Sequence, residues 1–293
     1  METKKTKKYL TLLLKLLLTG LAFYIVGRKI DVAETWQLMK RAHPGWLLLA
    51  VVMFNVSKTI SALRLNRLFT VLELYISDKI NLKLYYIGMF YNLFLPGGIG
   101  GDGYKIYYLN RHFDKPVKQL FRAVLLDRIS GMTALLFLAL LFAGINDSLL
   151  LEPWLKMSIW GAAIIGYPAF YLFNRILFKR FTIRFFNTNL FSLGVQGSQV
   201  ICAYFLLQAL AINDHQLEYL LFFLVSSVIT IIPFTPGGAG ARELVFVLAA
   251  DYSSVQEETA VAFTLLFFII TSVSSLFGAF LSMKRHEPAP SAT

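Results

Sequence analysis

Two short runs hold the residues best suited to chemistry. Pro96-Gly97-Gly98-Ile99-Gly100-Gly101-Asp102 and Pro236-Gly237-Gly238-Ala239-Gly240-Ala241-Arg242 share the pattern P-G-G-x-G-small-charged. Proline removes a backbone donor, and glycine opens conformations closed to other residues. A glycine-rich turn leading into a helix leaves N–H groups and a positive dipole end free to face an anion. Arg242 adds a permanent cation with a forked donor geometry. Glu243 beside it either orients Arg242 or caps the new helix. The first run ends in Asp102 instead, with Lys105 one turn later, so Asp102 either pairs with Arg242 or caps its own helix. The chemistry on offer is recognition of an anion such as a phosphate.

The elements that hold these runs read as membrane helices. Hydrophobic residues make up 57% of the 293 and charged residues only 15%, with a mean hydropathy of +0.61. A soluble domain carries about a quarter charged residues. Apolar stretches of about 20 residues, enough for a bilayer core of about 30 Å, recur along the chain. The net charge of +11 therefore serves orientation and anionic headgroups, and no nucleic-acid partner is expected. Cys202 is the sole cysteine, which excludes an intrachain disulfide and a cysteine-based metal cluster. His43, His112, His215 and His286 fall in loops or the tail without ligand spacing. No nucleophile–base set and no nucleotide-binding motif stand out, so no catalytic residue, metal or cofactor is expected.

In chain order, the lysines at 4–8 and the apolar residues after them have the outline of a signal peptide. The apolar part is too long and lacks a small-residue cleavage site, so the first crossing runs from Tyr9 to Gly27. Asp31 to His43, with Val32, Trp36 and Met39 at helical spacing, lies along the interface. A second crossing runs from Pro44 to about Leu63. Asn81 to Leu95 is too short to span and stops at the first glycine run. The third crossing, Gln119 to Ile145, carries Asp127 and Arg128; the fourth covers Trp154 to Phe173, and the fifth Asn189 to Ile212. Tyr219 to Ile232 is again short, and a half-helix, Glu243 to Ala250, follows the second run. The sixth crossing is Thr259 to Met283, with a tail at 284–293.

The expected fold is all-α: one transmembrane domain of six crossings plus two re-entrant hairpins, at 81–118 and 217–251. Most of the 28 Lys and Arg then share one side with both termini, which the positive-inside rule makes cytoplasmic. Residues 1–145 and 154–283 follow the same element order in opposite orientation. Inverted repeats with broken helices at matching places point to a transporter site at their interface. Ionisable groups inside a membrane are costly and usually functional, which singles out Asp127 and Arg128. Both lie about two turns from a basic helix start, and Lys58 lies near the end of the second crossing, so snorkelling to the interface is the competing reading for all three.

At this point the chain resembles a known family. F-L-P-G-G-I-G-G-D at 94–102, L-D-R-I-S-G at 126–131 and T-P-G-G-A-G-A-R-E at 235–243 resemble motifs of the lysylphosphatidylglycerol synthase transmembrane family. A-L-R-L-N-R-L at 62–68 is similar to a degenerate A-x-R-W element with Leu65 in place of tryptophan, and it adds Arg64 to the candidates. The resemblance implies a cell-membrane flippase for aminoacylated phospholipids or polyprenyl-phosphate-linked lipids. Multiple-peptide-resistance-type proteins attach a cytoplasmic aminoacyl-transferase domain. Only the transport half is expected here, with a separate lipid-modifying transferase as a potential partner. The expected headgroup site comprises Gly97, Gly98, Gly100, Gly101, Asp102, Lys105, Gly237, Gly238, Gly240, Arg242, Glu243, Asp127, Arg128 and Arg64. A carrier of small soluble anions and a non-transporting accessory subunit are the alternatives.

Overall fold

The computed structural model describes residues 31–94, 100–147, 152–231, 240–251 and 253–281, together with Tyr24 and Arg28. The expected first crossing, the Pro96 and Pro236 turns and the tail lie outside the described residues. What is described is all-helical: α1 (Val32–Arg41), α2 (Pro44–Val71), α3 (Asp78–Phe94), α4 (Gly100–Phe113), α5 (Val117–Ile145), α6 (Pro153–Leu177), α7 (Phe185–Ala209), α8 (Gln216–Ile231), α9 (Ala241–Ala250) and α10 (Glu257–Leu276), with 3₁₀ turns at Lys179–Arg184 and Phe277–Phe280.

Local chemistry sets most of the ends. Asp31 caps α1 by accepting from Ala33 N at 2.8 Å and Glu34 N at 3.1 Å. His43 Nδ1 accepts from Gly45 N at 3.2 Å, and Pro44 stands at the first position of α2, where its missing N–H costs nothing. Four helices (α2, α5, α7 with its preceding turn, and α10) are long and apolar enough to cross a membrane. With the family evidence below, this makes the chain a polytopic membrane protein. α6 covers the expected fourth crossing and is 25 residues long.

The second crossing does not end at Leu63. α2 continues to Val71, because the polar groups that looked terminal find partners inside the protein. Arg64 bonds Asp127, and Asn66 Nδ2 donates to Ile76 O at 3.0 Å and Asp78 Oδ1 at 2.6 Å. The consequence is that Lys58 sits at the middle of a 28-residue helix.

α2 packs along α7 more extensively than any other helix pair. Ser57, Ser61, Ala50, Ala203 and Ser198 are buried, and Gly194 leaves the space that Ile60 occupies. Small side chains let two membrane helices approach closely. α3 and α4 fold back on each other, as do α8 and α9. In the first pair a Cβ at Gly101 would lie 2.0 Å from Gly88 O, so this crossing requires glycine. Tyr91 and Tyr104 face one another nearby, with ring centroids 4.8 Å apart.

The two halves share spacing as well as order. α2 and α7 end at Val71 and Ala209, α3 and α8 begin at Asp78 and Gln216, and α5 and α10 begin at Val117 and Glu257, a nearly constant offset. α2 and α7 also close in the same way. Glu73 and Ala211 take positive φ (56° and 55°), while Leu74 N donates to Phe69 O and Ile212 N to Leu207 O, the six-to-one bond of a Schellman end. α5 packs on α8, and its counterpart α10 packs on α3.

One prediction follows from the α3–α4 crossing. Gly101→Ala should destabilise the detergent-solubilised protein by about 1–3 kcal/mol, since overpacking forces backbone movement. Gly103→Ala, on the same helix with open space around it, should be neutral or slightly stabilising. Thermal unfolding midpoints of the two variants check this.

Candidate functional site

Two apolar clusters organise the helices, and the charges lie between them. One gathers Phe54, Phe223, Phe246, Phe263 and Phe267; the other gathers Leu65, Phe69, Leu84, Leu120, Phe178 and Phe185. On α2 the stretch between the clusters holds Ser57, Lys58, Ser61 and Arg64. On α5 it holds Asp127, Arg128, Ser130 and Gly131, and on α7 Thr188, Asn189, Ser192 and Gln196. A polar belt therefore crosses the interior at one level.

Its most buried charges form an ion pair. Arg64 Nε donates to Asp127 Oδ1 at 2.7 Å and Nη2 to Asp127 Oδ2 at 3.0 Å, a bidentate fork. Nη1 donates to Ser192 Oγ at 2.9 Å. Arg64 is 4% and Asp127 6% exposed. Gly131, one turn past Asp127, makes room for the guanidinium: a Cβ there would stand 3.1 Å from Arg64 Nη1. The L-D-R-I-S-G stretch and Arg64 thus form one joint between α2, α5 and α7. Snorkelling does not describe Asp127, whose carboxylate turns inward to a partner that only the tertiary fold supplies.

Asp102 forms a second centre. Its carboxylate accepts from Lys105 Nζ at 3.3 Å and from Arg128 Nε. Lys105 is buried and stacks over Tyr85, Nζ 4.0 Å from the ring centroid. Asp102 is therefore not the partner of Arg242: cations on its own helix and on α5 reach it first. The α4 N-terminus is closed partly from within, since Gly101 N donates to Asn92 Oδ1 at 2.8 Å.

Arg242 stands at the start of α9 and has no carboxylate in an ion pair. Its Nη1 donates to Ser226 Oγ at 3.1 Å and Ser227 Oγ at 3.0 Å, and its guanidinium lies 4.9 Å from the Phe223 ring and 4.7 Å from the Phe267 ring. Of the two readings of Glu243, the cap is the observed one. Glu243 Oε2 accepts from Gly240 N at 2.8 Å, and Gly240 takes φ 81°, a value other residues avoid.

Arg242, Glu243 and Lys58 line one cavity of about 210 Å³ with Gln199, Thr230 and Thr271 and the rings of Phe54, Phe267 and Phe268. Lys58 Nζ rests 4.4 Å from the Phe54 ring centroid, and Arg64, Lys105 and Arg242 lie within electrostatic range of it. Among the described residues no carboxylate forms an ion pair with either Lys58 or Arg242. The arrangement gathers two cations and the Glu243 carboxylate, with hydroxyl and amide groups beside them. Gly97, Gly98, Gly237 and Gly238 lie outside the described residues; Gly100, Gly101 and Gly240 stand at the two helix starts.

A comparison with protein families covers the stretch that holds these centres. The model of the lysylphosphatidylglycerol synthase TM region matches residues 12–278. The chain belongs to that family. It is also similar to the UPF0104 membrane protein PH1989 of Pyrococcus horikoshii, with 23% identity over 96% of this chain and 98% of the relative. The family match takes in both glycine runs, Arg64, Asp127 and the Lys58–Arg242 cavity.

The ion pair yields a test. Asp127→Ala should cost roughly 3–5 kcal/mol, because it leaves Arg64 buried and unmatched, whereas the double change Arg64→Met/Asp127→Leu should restore most of that stability. Thermal unfolding of the purified variants distinguishes the two outcomes.

Proposed function

We propose that the protein is a flippase-like carrier of an anionic lipid in the cell membrane, with the phosphate of the headgroup held by Arg242 and Lys58. The observation that carries this reading is the shared cavity: two cations and one carboxylate line it, and that carboxylate, Glu243, is turned to the Gly240 N–H and forms an ion pair with neither cation. A charge inside a membrane demands a partner. The nearby acids are already engaged, Asp127 by Arg64, Asp102 by Lys105 and Arg128, and Glu243 by the Gly240 N–H.

The size of the cavity supports a headgroup in place of a whole lipid. Pockets for drug-sized ligands run to about 300–1,000 Å³, so some 210 Å³ suits a phosphate and its immediate substituents. The acyl or prenyl tail stays in the bilayer. In this reading α3–α4 and α8–α9 are re-entrant hairpins entering from opposite faces, with both termini cytoplasmic. The constant offset between the halves and the exchanged packing of α5 on α8 and α10 on α3 support an inverted repeat about the α2–α7 contact. The chain carries no catalytic step, and any headgroup modification belongs to a separate transferase.

The same cations and hydroxyls would suit a free phosphate, so the test has two arms. Proteoliposomes should translocate headgroup-labelled phosphatidylglycerol faster than phosphatidylcholine and leave inorganic phosphate uptake at background. Arg242→Ala and Lys58→Met should each slow phosphatidylglycerol movement by roughly ten- to a hundredfold, the value of a charge-assisted contact. Unchanged rates in both variants would overturn the site, and phosphate uptake without lipid movement would make the protein a soluble-anion carrier.

A further inference from the structure

A second lipid-sized feature lies away from the central cavity, where the N-terminal end of α5 meets the C-terminal end of α6. Two adjoining cavities of about 490 Å³ and 380 Å³ share Arg122, Leu177 and Phe178. The first is rimmed by Lys179 and Arg180 of the 3₁₀ turn; the second runs past Lys118 and between Leu125, Ile129 and Phe173. Phe178 and Phe181 are buried and pin the turn against the helices, which fixes the basic rim in place.

We propose that this groove binds one anionic phospholipid of the adjacent leaflet as a fixed, non-transported ligand. Its phosphate sits among Lys118, Arg122 and Lys179, and an acyl chain follows Leu125, Ile129 and Phe173. Charge complementarity identifies the occupant. Lys118, Arg122 and Lys179 are exposed and form no ion pair among the described residues, and Arg180 alone has a carboxylate, Glu73, at 3.4 Å. α5 carries no acidic residue in its first turn and no side-chain cap, so its positive end adds to the basic residues and no internal charge offsets them. Length agrees as well. From Lys118 to Ile129 the helix rises roughly 16 Å, about half a bilayer core of some 30 Å, the reach of one acyl chain. Basic pockets between membrane helices at headgroup depth hold anionic lipids by this combination of charge and groove.

The site does not depend on the transport reading, and native mass spectrometry of the whole protein tests it. The protein is released from micelles containing equal phosphatidylglycerol and phosphatidylcholine. Wild type should retain phosphatidylglycerol preferentially, and Lys118→Gln/Arg122→Gln/Lys179→Gln should lose that preference at about fivefold per residue. Lys83→Gln, an exposed change away from both the groove and the central cavity, should keep it. Arg122→Gln alone, a surface change with little effect on folding, should lose part of it, which covers a triple variant that does not purify. Equal retention of both lipids by wild type, loss of preference in Lys83→Gln, or displacement of the lipid by glycerol 3-phosphate would each overturn the assignment.

Discussion

The interior of this protein is governed by the cost of placing charge in a low-dielectric surround. Among the described residues four carboxylates, Asp102, Asp127, Glu218 and Glu243, are buried, and each is engaged within the protein, Glu218 by His215 and the Ser254 N–H. Asp127 takes the fork of Arg64, Asp102 takes Lys105 and Arg128, and Glu243 closes the turn at Gly240. That accounting leaves Lys58 and Arg242 without an ion pair among the described residues, with Glu243 the one carboxylate that lines their cavity. Serine hydroxyls and aromatic faces soften the cost for Arg242, and the Phe54 ring does so for Lys58, but rings and hydroxyls do not neutralise a charge. An anion does.

The packing follows from where those charges must be. Lys58 lines one cavity with Arg242, and small side chains bring α2 and α7 together beside it. Arg64 is accommodated by Gly131 and the hydroxyl of Ser192, so a single ion pair joins α2, α5 and α7 just beside the cavity. The two helix starts differ in how their charges are joined. Each counts one acid and two cations: at the α4 start Asp102 forms ion pairs with both Lys105 and Arg128, whereas at the α9 start Glu243 is turned to the Gly240 N–H and forms no ion pair with Arg242 or Lys58 among the described residues.

Much of this was legible in the sequence. The paired glycine runs marked both helix starts, and among the described residues the spans fell close to the observed helices because their apolar lengths are set by bilayer thickness. Lys58 was misplaced for a definable reason: Arg64 and Asn66 look like the end of a span until Asp127, Ile76 and Asp78 are seen to satisfy them. Asp102 looked like a partner for Arg242 by analogy of position, but its true partner Arg128 is brought close only by the packing of α4 on α5. Gln199, Ser226, Ser227, Thr230 and Thr271 gave no signal at all. Serine and threonine in membrane helices commonly bond back to their own backbone, as Ser57 and Thr264 do here, so their type alone does not mark a site.

The most direct test of the central claim is a cryo-electron microscopy structure in nanodiscs containing phosphatidylglycerol. The account predicts phosphate density in the cavity, within hydrogen-bond distance of both Lys58 Nζ and the Arg242 guanidinium, with the acyl chains leaving toward the bilayer. A cavity without anion density, in which Lys58 and Arg242 have turned to carboxylates of the protein itself, would contradict it.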